Sequence, residues 1–326
     1  MLPWPPLELT RRALLAGAGA SLLAAAQKSR SGRRPTMSVA QSYIDFFRRG
    51  QDFRPPASAF FATGALAEQE LEPLAAALRT ESDRIREQIV FLLADVGRRA
   101  DPLFAEGGQI IRHPRVISIL VADGLARPDS GRDAALDTLQ KLVPASHLQP
   151  HKAALVEDLK KYPDTTALLL IAKAKPPEAA PVVRQLLGSP RWSREQATAV
   201  AAAALGDQSF EKDFTEPFVP TQDPREKARL ARALGWIGTH SALTALASQM
   251  RTDLIYEVPR AFRRTLRLDI MAALSYNFPD QPVLYELNLT DDTGYDRIEQ
   301  FCVQRFGVTW DRPRPPYMKI IGFPSR

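Results

Sequence analysis

The sequence predicts an all-α protein whose helices stack as an α-solenoid, and three observations predict it. Apolar residues recur at helical spacing in one segment after another, with Pro, Gly and Asp between segments. The strict alternation of a half-buried strand, rich in β-branched residues, is nearly absent. Four windows of equal length also superimpose: IREQIVFLLADVG (85–97), ATAVAAAALGDQS (197–209), EKARLARALGWIG (226–238) and LRLDIMAALSYNF (266–278). The last three are offset by 29 and then 40 residues, a period that implies stacked copies of one helical unit. A weaker copy, VISILVADGL (116–125), lies between the first two.

Taken in order, the chain begins with an address. Thr10-Arg11-Arg12 precedes the uncharged, 14-residue run Ala13–Ala26. That run falls short of the roughly 20 apolar residues a spanning helix needs. Ala24-x-Ala26 offers a small-residue cleavage site before Gln27. The segment 1–26 resembles a twin-arginine export signal, which implies a destination in the periplasm or beyond. If Met37 is the true start, the protein stays in the cytoplasm. Residues 27–37 are polar and basic and read as a flexible linker. No other long hydrophobic stretch occurs, so no membrane span is expected.

Residues 38–288 form the predicted helical array. Helical spacing picks out Leu66–Leu78, Ile85–Gly97, Asp133–Val143, Thr166–Lys175, Glu178–Leu187, Arg194–Gly206, Glu226–Ile237, Ser241–Met250 and Phe262–Tyr276. Each superimposed window has a close-packing face of Ala and Leu, and several end in Gly or Asn, which suit a left-handed cap. In the best copy a second amphipathic helix follows at once, giving RLARALGWIGTHSALTALASQMRTD. This stretch resembles a HEAT-like repeat of the phycobilisome-lyase type, and LEPLAAALRTESDRIREQIVFLLADVG is similar to it. The resemblance implies an α/α superhelix and is nearly silent about activity. Residues 99–190 are degenerate, and their Pro and Gly predict irregular connections. Residues 289–326 read as a capping helix over Arg297–Phe306 and a Pro- and aromatic-rich strap anchored by Tyr317, Ile320, Ile321 and Phe323.

Composition excludes several function classes. The chain carries a formal charge of +6, of which residues 1–26 supply +1, residues 27–36 supply +4 and residues 37–326 only +1. The body is therefore near neutral, and global charge gives no reason to expect nucleic acid. A single cysteine, Cys302, excludes an internal disulfide and argues against thiolate zinc and iron–sulfur sites. No cofactor is expected.

The candidate chemistry thins out on inspection. Asp292-Thr293-Gly294 spells the aspartic-protease triplet, but helical surroundings favour a helix cap. His147 and His151 have the four-residue spacing of a metal pair, yet Pro150 between them breaks the helix that would align them. His113 and His240 stand alone, and Cys302 sits in an apolar triplet. The best candidate contacts are Arg260, Arg263, Arg264 and Arg267, whose spacing places them on one face of the helix predicted there. Such a ridge would bind carboxylate or phosphate, although Glu257 and Asp269 flank it. The sequence thus points to a non-catalytic scaffold for a protein or peptide partner. An enzyme with a lyase- or hydrolase-like site in the solenoid groove, and a binder of an anionic polymer through residues 260–267, remain as alternatives.

Overall fold

The structure, a computed structural model, describes residues 38–51, 68–106, 110–125, 130–193, 195–258, 262–281 and 293–315. The predicted export signal, the predicted linker, Arg260, Asp292 and the predicted strap anchors Tyr317, Ile320, Ile321 and Phe323 lie outside the described residues. The described chain is predominantly helical. Its helices are α1 (Val39–Arg48), α2 (Glu68–Thr80), α3 (Asp83–Arg99), α4 (Pro114–Gly124), α5 (Ser130–Leu142), α6 (Ala145–Leu148), α7 (Lys152–Lys161), α8 (Thr165–Ala174), α9 (Ala180–Leu187), α10 (Gln196–Ala204), α11 (Gln208–Phe218), α12 (Pro224–Ile237), α13 (His240–Ser248), α14 (Leu266–Ser275) and α15 (Thr293–Phe306).

Local chemistry sets these boundaries. Asp223 caps α12 by accepting from the backbone N–H groups of Arg225 and Glu226, and Pro224 occupies the first turn, where a missing N–H costs nothing. Gly238 ends the same helix in the left-handed region at φ 58°. Thr239 then caps α13 by accepting from Ala242 N. Residues 99–190 are more regular than their Pro and Gly content predicts, since they hold α4 to α9. The prolines sit where helices start: Pro114 and Pro181 fall in the first turns of α4 and α9, and Pro144 caps α6.

Two sets of serial contacts organise the helices. In the first, α3 packs on α5, α5 on α8, α8 on α10, α10 on α12 and α12 on α14. In the second, α2 packs on α4, α11 on α13 and α13 on α15. All four superimposed windows fall in the first set, in α3, α10, α12 and α14, whereas the weaker copy is α4 of the second. Two close approaches tighten the first set. The alanine-rich α10 is slim enough for α8 to touch α12 directly. A Cβ added to Gly235 of α12 would meet the Ala273 Cβ of α14 at 2.7 Å and its Cα at 2.8 Å, so only glycine permits that crossing.

The second position of those windows holds a recurrent feature: Arg86, Thr198, Lys227 and Arg267 are all buried. Arg86 donates to Asp123 of α4 at 2.8 Å. Lys227 donates to the Val219 carbonyl at 3.0 Å and to Gln249 Oε1 at 2.8 Å, at the ends of α11 and α13. Arg132, in the first turn of α5, bonds Asp158 of α7 at 2.5 Å and also pairs with Asp164, the cap of α8. Arg86 and Lys227 join the first set to the second, and Arg132 ties α5 to α7 and α8, in a setting where an unpaired charge would cost several kcal/mol.

One segment departs from helix. Ile255–Val258 (β1) and Phe262–Thr265 (β2) pair antiparallel, with Glu257 opposite Arg263 and Tyr256 opposite Arg264. The helix predicted over Phe262–Tyr276 therefore begins only at Leu266. Both strands are rich in aromatic and β-branched residues. Their ladder, extended by Leu266 N donating to Leu254 O at 3.0 Å, supplies backbone bonds that a first helical turn would leave unmet.

Candidate functional site

The hairpin dismantles the predicted arginine ridge. Arg263 and Arg264 are adjacent on β2, where successive residues alternate between faces, so the helical spacing no longer gathers all the arginines onto one face. Arg267 is in the first turn of α14 and only 2% exposed, so it is an interior side chain rather than part of a binding face. The flanking Asp269 is buried too, and accepts from the Tyr256 hydroxyl at 2.7 Å. Of the four predicted contacts, burial removes Arg267, the backbone places Arg263 and Arg264 on β2, and Arg260 lies outside the described residues.

The other sequence candidates occupy ordinary structural positions. His147 lies in α6 and its Nδ1 is 3.1 Å from the Ser146 hydroxyl, while His151 lies in the following tight turn. His113 caps α4 by accepting from Val116 N at 3.5 Å. Among the described residues no group of three or more metal-ligand side chains assembles. Thr293 and Gly294 open α15, a helical setting unlike the strand and turn that a protease triplet needs. Cys302 is fully buried, and burial together with the neighbouring Glu299 charge pushes its thiol up to about 12. It is thus a thiol rather than a nucleophilic thiolate.

Sequence reasoning missed two clusters. In the first, Lys173 of α8 is buried and donates to the Gln140 carbonyl of α5 at 2.6 Å. Its amine lies 5.9 Å from the ring centre of Trp236, which stacks on Tyr276 at 4.4 Å. Desolvation lowers the Lys173 amine to about 7. Trp236 and Tyr276 hold the same position in two superimposed windows, so the alignment itself carried the signal for their stacking. In the second, the chain beyond α15 returns across α13: Trp310 Nε1 donates to the Ala247 carbonyl at 3.2 Å, and the Arg251 guanidinium lies 4.9 Å from the Trp310 ring centre. Glu299 accepts from both Arg251 and Arg314. Burial would raise its carboxyl, but the bonds from the two guanidiniums hold it below the usual range.

A depression of about 500 Å3 opens where α12, α13, α15 and the turn after α14 converge. Gly238, His240, Leu243, Asn277, Phe278, Arg305 and Phe306 line it. Its back wall is fixed by backbone bonds: Lys175 Nζ donates to the Gly238 carbonyl at 3.0 Å, and Asn277 Nδ2 donates to the Gly235 carbonyl at 2.8 Å. A smaller cleft of about 200 Å3 lies between α2 and α4, next to Arg79, Arg115 and Asp123. Among the described residues, no helix is long and apolar enough to cross a membrane. Compared with known proteins, the chain matches no family model, no curated protein and no solved structure.

Proposed function

We propose that the protein is an exported scaffold built from HEAT-like repeats, whose task is to bind a protein or peptide partner. The observation that carries this reading is the serial packing of α3, α5, α8, α10, α12 and α14. Four of these helices carry the same window with a buried polar residue at its second position. Such a stack adds one unit to the next and presents an extended run of helix faces, which suits recognition of a chain more than enclosure of a small substrate. Arg263 and Arg264, on the ribbon between α13 and α14, supply the polar anchors, because a guanidinium fork can pair two-pronged with a carboxylate. The arginine pair at residues 11–12 and the short apolar run behind it support export.

Cross-linking the tagged protein in the cells that make it, followed by mass spectrometry, tests the reading. One dominant protein partner is expected, lost when Arg263→Glu and Arg264→Glu are combined, with the far-ultraviolet circular dichroism unchanged. Recovery of no specific partner overturns the scaffold. A mature chain beginning at Gln27, and its disappearance when Arg11 and Arg12 both become Lys, is the expected mark of export; cytoplasmic protein beginning at Met37 overturns that part.

A further inference from the structure

We propose that the depression between α12, α13 and α15 is a binding site for a ligand that joins a carboxylate to an apolar or aromatic body. The inference is independent of the scaffold reading and concerns a different surface. Its floor is aromatic and braced: the Phe278, Phe301 and Phe306 rings meet edge to face, with centres 5.2 to 6.1 Å apart. Two nitrogen-bearing side chains stand on that floor. The Arg305 guanidinium lies 5.4 Å from the Phe278 ring centre, and the His240 imidazole centre lies 6.1 Å from that of Phe306. Phe278 and Phe306 touch each other, so the guanidinium and the imidazole flank one continuous apolar surface.

The two side chains are also available. Among the described residues Arg305 forms no ion pair and no hydrogen bond, and the His240 ring accepts or donates none. Other arginines nearby are committed: Arg251 and Arg314 to Glu299, and Arg112 to Asp101 and Asp280. Glu211 of α11 accepts from the Thr239 hydroxyl beside His240 and interacts electrostatically with the Lys175 amine. Among the described residues lining the depression, the charged side chain without an ion-pair partner is the Arg305 guanidinium. Stacking on Phe278 restrains the guanidinium without using its N–H groups, which leaves the donor fork open to a carboxylate.

The wall is preformed. Gly238 holds φ at +58°, and a Cβ there would fall 2.2 Å from Asn277 Oδ1, so this corner accepts only glycine. A ligand would meet donors and an apolar floor already in place, with little ordering left to do. The carboxylate docks between Arg305 and His240, and the apolar body rests on Phe278 and Phe306. A small organic acid and the C-terminus of a peptide ending in an aromatic residue share this chemistry.

The test is calorimetric titration of the full chain with 3-phenylpropionate, with its neutral amide, and with acetyl-Gly-Phe bearing a free carboxylate. The acid is expected to bind at least about tenfold more tightly than the amide, as for a hydrogen bond to a charged group. Arg305→Gln should erase that preference, His240→Ala should weaken it, and Lys212→Gln, elsewhere on the surface, should leave it intact. All three side chains are exposed, so the variants should fold as the parent does. A peptide that binds more tightly than phenylpropionate identifies a chain terminus as the ligand, and equal binding identifies a small acid. Equal binding of acid and amide, an unaltered acid preference in Arg305→Gln, or no heat up to about 10 mM of any of the three overturns the site.

Discussion

Lys173 shows how one residue ties stability to pH. Its amine sits at about 7 in the folded chain, against 10.5 for an ordinary lysine, because burial penalises the charged form. Between those two values the unfolded chain holds a proton that the folded chain does not. Unfolding then takes up a proton, and stability rises as pH climbs from about 7 to about 10.5, with no contribution from this residue to the slope below about 7. Replacing it should remove that rise. A shift of this size corresponds to at most about 5 kcal/mol, from which the lost bond to the Gln140 carbonyl subtracts about 1 to 3. Lys173→Met is thus expected to stabilise the protein by about 3 kcal/mol at pH 7 and by little at pH 10. Urea denaturation of both proteins across that range checks it; a constant difference at every pH contradicts the assignment. Nothing in the local sequence marks Lys173, because its neighbours in TTALLLIAKA fit either a buried or an exposed lysine.

At the scale of an element, the crossing of α12 and α14 is set by the close approach of Gly235 to Ala273. Gly235→Ala would gain about 1 kcal/mol of helix propensity in isolation. The new methyl would stand 2.7 to 2.9 Å from Ala273, two of its three nearest atoms being backbone, so one helix must move. Overpacking of this kind costs about 1 to 3 kcal/mol or more and exceeds the propensity gain. A net loss of about 2 kcal/mol is expected, read as a lower denaturation midpoint with unchanged slope. The sequence did show a glycine inside a helical window, but not what it faced. The element that sequence periodicity misplaced, residues 262–265, failed for a related reason. FRRT followed by LRLDIMAALS continues a helical pattern, and only pairing with IYEV, an element picked out by no periodicity, makes it a strand. Arg267 then moved from a solvent ridge into the interior, although its equivalence to Arg86 and Lys227 was visible in the aligned windows.

For the whole molecule, contacts distant in sequence tie the helices together. Arg112, ahead of α4, bonds Asp280 beyond α14, 168 residues away. Asp280 is 70% exposed, so that tie reports proximity more than stability. The return of the chain across α13 is the stronger closure, since Trp310 combines a hydrogen bond, a cation–π contact and partial burial. Trp310→Ala should cost about 2 kcal/mol, below the 3 to 5 typical of a fully buried aromatic. Hydrogen exchange should locate the loss: protection falls in α13 and α15 and holds in α3 and α5, because under the proposed repeat reading each unit couples mainly to its nearest neighbours. Uniform loss of protection along the chain would show that the helices unfold as one unit.

By itself the sequence determined the helical class, most helix positions between residues 66 and 306, the near-neutral body and the buried, unreactive Cys302. Those properties follow from local periodicity, capping chemistry and composition, which need no partner from elsewhere in the chain. The tertiary structure alone decided the hairpin at 255–265, the burial of Arg267, the Lys173–Trp236–Tyr276 stack and the meeting of His240 with Arg305 on one aromatic floor. The hairpin needs the pairing of two segments whose facing residues are 4 to 10 positions apart, and the side-chain clusters join residues tens of positions apart that become neighbours only when helices pack. Burial, charge pairing and ring contact are properties of that packing, and a one-dimensional pattern holds only the faces that take part in it.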